Sequence, residues 1–405
     1  MITKNLIPIT ICFIIISLAI AITGCTSAPP TGPTLTPTPV PTYVPLTSIG
    51  KIAAGVNHGL AINNTGTALY AWGSNSRGQL GVGDKITFAF GAKQVSASIL
   101  NNVTAIAAGN EHSLAVNGGT VYAWGENSNG QLGNDSNTPS YTPVQVISVT
   151  IPTITTVAAG AQHSLALASD KTVWAWGANT YGQLGTGNND ASKVPVKIPS
   201  LTNVIAIAAN SNYSLALKND GTVWAWGRND YGQLGISPKS DNNNTPVQVG
   251  GAGFTGVTAI AAGWTHGVAL KGGTVWTWGY NGYGQLGTGN SSESLSPIPI
   301  TATGISEIAA GFYHSIALSG GAVSVWGSNH DDHLGDGYLG VSPAPYCYTP
   351  TNIAGLNNVS AIAGGFAYSI VLKSDGTVYA WGTSTTGNPT NSKSKTPVQV
   401  YYQTN

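Results

Sequence analysis

Five of the seven histidines, His58, His112, His163, His266 and His314, stand at one position of a recurring pattern, and Tyr213 and Tyr368 fill that position in two further copies. Imidazoles repeated in this way suggest a metal ring. Copies of one position in packed sheets lie about 10 Å apart, however, whereas zinc ligands sit about 2 Å from a shared ion. Tyrosine as the alternative residue points instead to a structural hydrogen bond, because a buried polar tip needs a partner. A second cluster, His330, Asp331, Asp332 and His333 followed by Asp336, has ligand types suited to a divalent cation. Its spacing matches no established metal motif, and a solvated loop is the alternative reading. The chain has no Gly-x-Ser-x-Gly elbow, no His-Glu-x-x-His and no phosphate loop. Asp170, Asp220 and Asp375 fall in turns, where a short acceptor is expected for conformational reasons. No catalytic residue and no cofactor is therefore assigned.

These side chains must be positioned by a repeat. Trp-Gly pairs occur at Trp72, Trp124, Trp176, Trp226, Trp278, Trp326 and Trp381, with separations of 52, 52, 50, 52, 48 and 55 residues. The second copy shows four short segments in order: 103–109, 112–116, 120–125 and 143–146. The second and third alternate large and small side chains with period two and flank Gly- or Asp-rich turns, as hairpin strands do. Four antiparallel strands copied seven times predict an all-β, seven-bladed β-propeller. Tyr122 and Trp124 are expected on one face of their sheet, and Val121 and Ala123 on the other. The slim Ala-Ala-Gly segment suits the axis. Proline leads the fourth segment in six copies, at Pro143, Pro195, Pro246, Pro297, Pro350 and Pro397, which places that strand outermost. If it belongs to the blade that follows, residues 397–400 would complete the first blade and join the chain ends. Residues 41–44 compete for the same edge.

The pattern Ala-Ala-Gly-x-x-His-Ser-Leu-Ala-Leu followed by Ala-Trp-Gly-x-Asn-x-x-Gly-Gln-Leu-Gly is nearly complete in the second and third copies. Over residues 47–400 the chain resembles the regulator of chromosome condensation repeat family, whose members fold as seven-bladed propellers. Gly-Gln-Leu-Gly is intact in five copies; the sixth has Asp332-His-Leu-Gly335 and the seventh lacks it, which predicts irregular loops there. Ten of the eleven tryptophans belong to the repeat, leaving Trp264. Its Gly263-Trp-Thr-His-Gly267 setting resembles a motif of a light-sensing family member, but Thr265 stands where that motif has arginine. Trp264 is thus a candidate packing or ligand-facing ring.

Residues 1–24 read as a signal: Lys4, then a mostly apolar run of 17 residues from Leu6 to Ile22. Thr23-Gly-Cys25 resembles a bacterial lipoprotein cleavage box, which implies acylation at Cys25; an uncleaved anchor is the rival reading. Residues 25–46 form a Pro/Thr-rich tether, 47–400 the propeller and 401–405 a C-terminal tail. Both readings predict an extracytoplasmic, membrane-anchored domain.

Charged residues make up 7% of the chain, 15 basic against 15 acidic, and removing Lys4 with the signal leaves a net −1. Nucleic-acid binding needs a concentrated basic surface, so no nucleic-acid partner is expected. The cysteines are Cys12, Cys25 and Cys347, which leaves no pair within the propeller. The expectation is a monomer that binds a protein partner through rim loops. Trp264, Phe88 and Phe90 in the 83–98 loop, and Tyr338, Tyr346 and Tyr348 in the 336–348 loop are candidate contacts. The alternatives are a polymer-cleaving hydrolase or lyase with its site at the channel mouth, and a structural surface protein.

Overall fold

The structure, a computed structural model, describes residues 41–96, 98–147, 151–330, 334, 345–383, 385–390 and 393–404. Among these are thirty β-strands and one short 3-10 helix, and no α-helix. The first blade comprises β2 (Ile49–Ala54), β3 (His58–Asn63), β4 (Leu69–Ser74) and β5 (Phe88–Gln94), preceded by β1 (Thr42–Pro45). Six more four-stranded antiparallel sheets follow in chain order, giving seven blades.

Within each blade the small-residue strand that the Ala-Ala-Gly pattern marks is innermost, the His- or Tyr-led strand second, the Trp-Gly strand third and the fourth strand, proline-bearing in blades two to seven, outermost. The outer strand pairs with the Trp-Gly strand that precedes it in sequence. Ser394–Gln399, which carries Pro397, pairs with Val378–Gly382 and so completes the seventh blade, not the first. That corrects the expectation for residues 397–400. A fourth strand directly follows its third through one loop, so the antiparallel pairing closes locally.

Ring closure uses both chain ends. The strand Tyr401–Thr404 lies parallel to β5 through Tyr402 and Ala92, and β1 then pairs antiparallel with it, Thr42 opposite Thr404 and Pro45 opposite Tyr401. Tyr402 packs edge-on against Tyr70, ring centroids 5.2 Å apart. Truncation after Val400 is expected to leave β1 unpaired and to lower stability by about 2–4 kcal/mol, through lost edge pairing and a lost aromatic pair. Thermal unfolding of the truncated chain measures this, and an unchanged midpoint would refute it.

Face alternation explains how the blades interlock. Tyr122 and Trp124 enter one core with Leu60, Ile62 and Ala71 of the first blade. Val121 and Ala123 enter the next with Trp176 of the third. All seven Trp-Gly tryptophans are fully buried. Each indole also donates to a carbonyl of the preceding blade where its bond is described: Trp124 to Gln79, Trp176 to Gln131, Trp226 to Gln183, Trp278 to Gln233 and Trp326 to Gln285, at 2.8–3.0 Å. In the seventh blade Thr385 supplies this carbonyl to Trp72, and Gly387 lies against the same indole. The missing Gly-Gln-Leu-Gly motif is thus replaced by a shorter loop that keeps its backbone acceptor.

The histidine position is a blade-to-blade latch. Nε2 of His58, His112, His163, His266 and His314 lies 2.8–3.0 Å from Oγ of Ser113, Ser164, Ser214, Ser315 and Ser369 in the following blade. Ser113 Oγ donates to the Gln79 carbonyl, and Ser164 to that of Gln131, so each hydroxyl must accept from imidazole Nε2–H. The two tyrosine copies face a blade with glycine in place of serine. Tyr213 donates to the His266 carbonyl beside Gly267 at 2.5 Å, and Tyr368 to that of His58 beside Gly59 at 2.6 Å. The longer side chain reaches the backbone where the hydroxyl is missing. The glycine of Ala-Ala-Gly is equally constrained: a Cβ on Gly109 would lie 2.5 Å from the His112 ring.

Candidate functional site

In each blade the turn between the first two strands and the loop between the last two lie at one end of the sheet, here called the upper rim. The 2–3 hairpins and the connections between blades form the lower rim. The upper loops are built by their own motif. Asn75 Oδ1 accepts the Leu80 amide at 3.0 Å while its Nδ2 donates to the Asp84 and Ile86 carbonyls. Gln79 Oε1 accepts the Arg77 amide at 2.9 Å. Asn281 and Gln285 repeat these bonds. Asn-x-x-Gly-Gln-Leu-Gly therefore closes on itself and presents the residue before its first glycine at the rim: Arg77, Asn129, Tyr181, Tyr231 and Tyr283 in blades one to five.

Those tyrosines join rings from the 1–2 turns into one continuous arc. Trp264 stacks on Phe312 at 3.9 Å with planes 24° apart, and Phe312 meets Phe366 at 4.5 Å and Tyr313 at 5.9 Å. Tyr313 lies 4.8 Å from Tyr283, which contacts Tyr280 at 5.7 Å and Tyr346 at 5.3 Å. Tyr280 continues to Tyr231 at 5.4 Å, and Tyr346 to Tyr348 at 6.3 Å. The Arg228 guanidinium closes the far end, 5.1 Å from the Tyr181 ring and 5.6 Å from Tyr231, while pairing bidentately with Asp230. That carboxylate holds the guanidinium above its usual pKa, so the pair is internally neutral. Burial and neighbouring tyrosines raise the Tyr280 and Tyr313 hydroxyls above the ordinary phenol value, so they stay protonated at neutral pH. Phe366 and Tyr231 are more than one-third exposed.

The candidates named from sequence separate here. Trp264, Tyr346 and Tyr348 belong to the arc. Phe88 and Phe90 do not: they sit on β5, the fourth strand of the first blade, rather than in a loop, 4.8 Å from each other, with Phe90 52% exposed. That strand pairs antiparallel with β4, Phe88 opposite Ser74 and Gln94 opposite Tyr70. His330 is exposed and its Nε2 lies 3.0 Å from Tyr346 Oη. Asp331, Asp332, His333, Asp336, Tyr338 and Cys25 lie outside the described residues. Among the described residues no group of three or more His, Cys, Asp or Glu could hold a metal ion. Thr265, where the light-sensing motif has arginine, is 4% exposed.

The channel mouth is narrow and backbone-lined. Gly55, Gly109, Gly160, Asn210, Phe312 and Gly365 are among the residues around a cavity of about 100 Å³. Inter-blade bonds such as Val56 N–H to the Gly109 carbonyl and Phe312 N–H to that of Gly365 draw it in. Among the described residues no carboxylate or imidazole lines it. Tyr280, Phe312, Tyr313 and Phe366 were missed from sequence. They vary between copies, and only the ring brings loops far apart in the chain side by side.

The family model described as RCC1-like domain matches residues 23–304, and that for the Regulator of chromosome condensation (RCC1) repeat matches residues 359–388. The chain is 30% identical over 255 residues to the Ultraviolet-B receptor UVR8 of Arabidopsis thaliana, covering 62% of this chain and 58% of the receptor. It is 34% identical over 262 residues to the E3 ubiquitin-protein ligase HERC2 of Homo sapiens, covering 63% of this chain and 5% of the ligase. The chain thus spans less than two thirds of either relative. Human WBSCR16 superposes with a TM-score of 0.72 at 27% identity, over 81% of this chain and 87% of that one. Prp20p from Saccharomyces cerevisiae, described with its binding properties to Gsp1p and histones, gives 0.69 at 23% identity, over 80% and 82%; that likeness is one of fold.

Proposed function

The chain belongs to the RCC1-like domain family, and on that premise we propose that it is a protein-binding propeller, tethered to a membrane outside the cytoplasm, that contacts its partner through the upper-rim aromatic arc. The observation that carries this reading is the arc itself: Trp, Tyr and Arg side chains, the types that concentrate binding energy, gathered from several blades with no unpaired charge among them. Prp20p, of the same fold, has binding properties to Gsp1p and histones, which supports a protein partner as the class. The tether and the extracytoplasmic address rest on Lys4, the apolar run and Cys25. The propeller acts as a monomer, without a cofactor and without nucleic acid. A polymer-cleaving activity ranks second, because the described residues around the channel-mouth cavity include no carboxylate or imidazole.

Cross-linked capture with the wild-type chain, a Trp264→Ala/Tyr283→Ala variant and a Phe88→Ala/Phe90→Ala variant tests this. A partner held through the arc is expected to lose at least about 2 kcal/mol of binding, roughly thirtyfold in Kd, in the first variant and little in the second. Equal capture by all three would remove the arc from the function.

A further inference from the structure

We propose that the lower rim is a second binding surface, one that lies against anionic lipid headgroups. Six lysines, Lys51, Lys171, Lys197, Lys218, Lys271 and Lys373, belong to the lower ends of the strands or their hairpins. Three aspartates oppose them, Asp170, Asp220 and Asp375, and each is turned into its own hairpin. Their Oδ1 atoms accept the hydroxyls of Thr172, Thr222 and Thr377 at 2.6 Å and the amides of the same residues. Glu307 stands on the inner strand of the sixth blade at the repeat position that Lys51 holds in the first, and its carboxylate accepts the Ile362 amide. Six lysines against these four carboxylates leave this end with two positive charges. The remaining described carboxylates and the remaining described lysines and arginines number eight each, so the excess positive charge falls at the lower end.

Apolar groups share the basic end. Ile99, Ile147 and Ile205 are 51%, 37% and 48% exposed, and all lie in or next to the connections between blades. Lys218, Lys271 and Lys373 each end a second strand, with the ammonium 5.2, 5.4 and 5.3 Å from the rings of Trp224, Trp276 and Tyr379. Lysines over aromatic rings beside exposed aliphatic side chains match the polarity gradient of a headgroup region.

The chain entry supplies the occupant. Because β5 descends from Phe88 to Gln94 and Tyr401–Thr404 runs parallel to it, Thr42 opposite Thr404 lies at the lower end of the latch. Residues 1–40, which carry the apolar run, are therefore continuous in the chain with this basic end. This geometry rests on the proposed membrane tether.

Full-length chain is floated with phosphatidylcholine vesicles with and without phosphatidylglycerol, and amide exchange is followed on the vesicles. The expected result is slower exchange around residues 99–102, 203–206 and 218–222 only when phosphatidylglycerol is present, with the upper rim unchanged. A Lys218→Glu/Lys271→Glu/Lys373→Glu variant should weaken that interaction by about a hundredfold, at roughly fivefold or more per lysine. Ile99→Ser/Ile147→Ser should weaken it without changing its salt dependence. Flotation on both vesicle types with exchange indifferent to phosphatidylglycerol would overturn the proposal while leaving the tether intact. Flotation only with phosphatidylglycerol would uphold it and remove the tether. Flotation with neither would remove both.

Discussion

Lowering the pH from about 7.5 to about 5.5 is expected to cost the folded propeller roughly 5 kcal/mol, a large share of the stability of a typical domain. Burial pushes His58, His163 and His266 down to about 3 and His112 to about 4, from 6.5; proximity to His112 adds to the fall at His58 and His163, and Glu126 offsets part of it at His112. The latch gives the local reason. Nε2–H is committed to a serine hydroxyl, and Nδ1 of His58, His112, His163 and His266 is buried without a partner, so a second proton would have neither water nor an acceptor. Above the unfolded value both states are neutral and no linkage exists. As the pH falls below about 6.5 the unfolded chain binds protons that the folded one refuses, and stability drops by up to about 1.4 kcal/mol per unit for each histidine until the folded values are reached. Thermal unfolding across this range should show a midpoint falling by about 6 °C or more. A flat profile would show that these imidazoles are hydrated or open readily.

The second large effect is a rescue. Ser164→Gly should cost about 1–3 kcal/mol, because it leaves the His112 Nε2–H buried without an acceptor. His112→Tyr should cost about as much, because the longer ring meets the Ser164 side chain in a closed interface. The double variant recreates the arrangement of Tyr213 with Gly267 and Tyr368 with Gly59. It is expected to recover about 2 kcal/mol relative to the sum of the singles, measured as a coupling energy in urea unfolding. Simple additivity would mean that the tyrosine–glycine combination is accidental. The same double change should also remove one histidine from the acid-induced loss, which links the two measurements.

Much of this was legible in the chain. The Trp-Gly spacing, the slim inner strand and the outermost proline strand follow from period-two alternation and from the cost of proline in a sheet interior. The structural role of the histidine position follows from its exchange with tyrosine. Its partner was legible too, but only between neighbouring copies: serine follows histidine in the next copy, and glycine follows tyrosine. Comparing equivalent positions alone conceals that pairing, since the hydrogen bond runs from one copy to the next.

The sequence by itself determined the number of blades, the order of strands across each and the face that each aromatic buries, because these depend on contacts within one repeat or between adjacent copies. Only the tertiary structure decided the rest. It assigned the proline-bearing strand to its own blade and joined Thr42–Pro45 and Tyr401–Thr404 at one edge. It also made Trp264 a member of an arc rather than a residue left over from the repeat. Those outcomes depend on where the ring closes and which loops meet across blades, and local periodicity does not encode distances between residues so far apart in the chain.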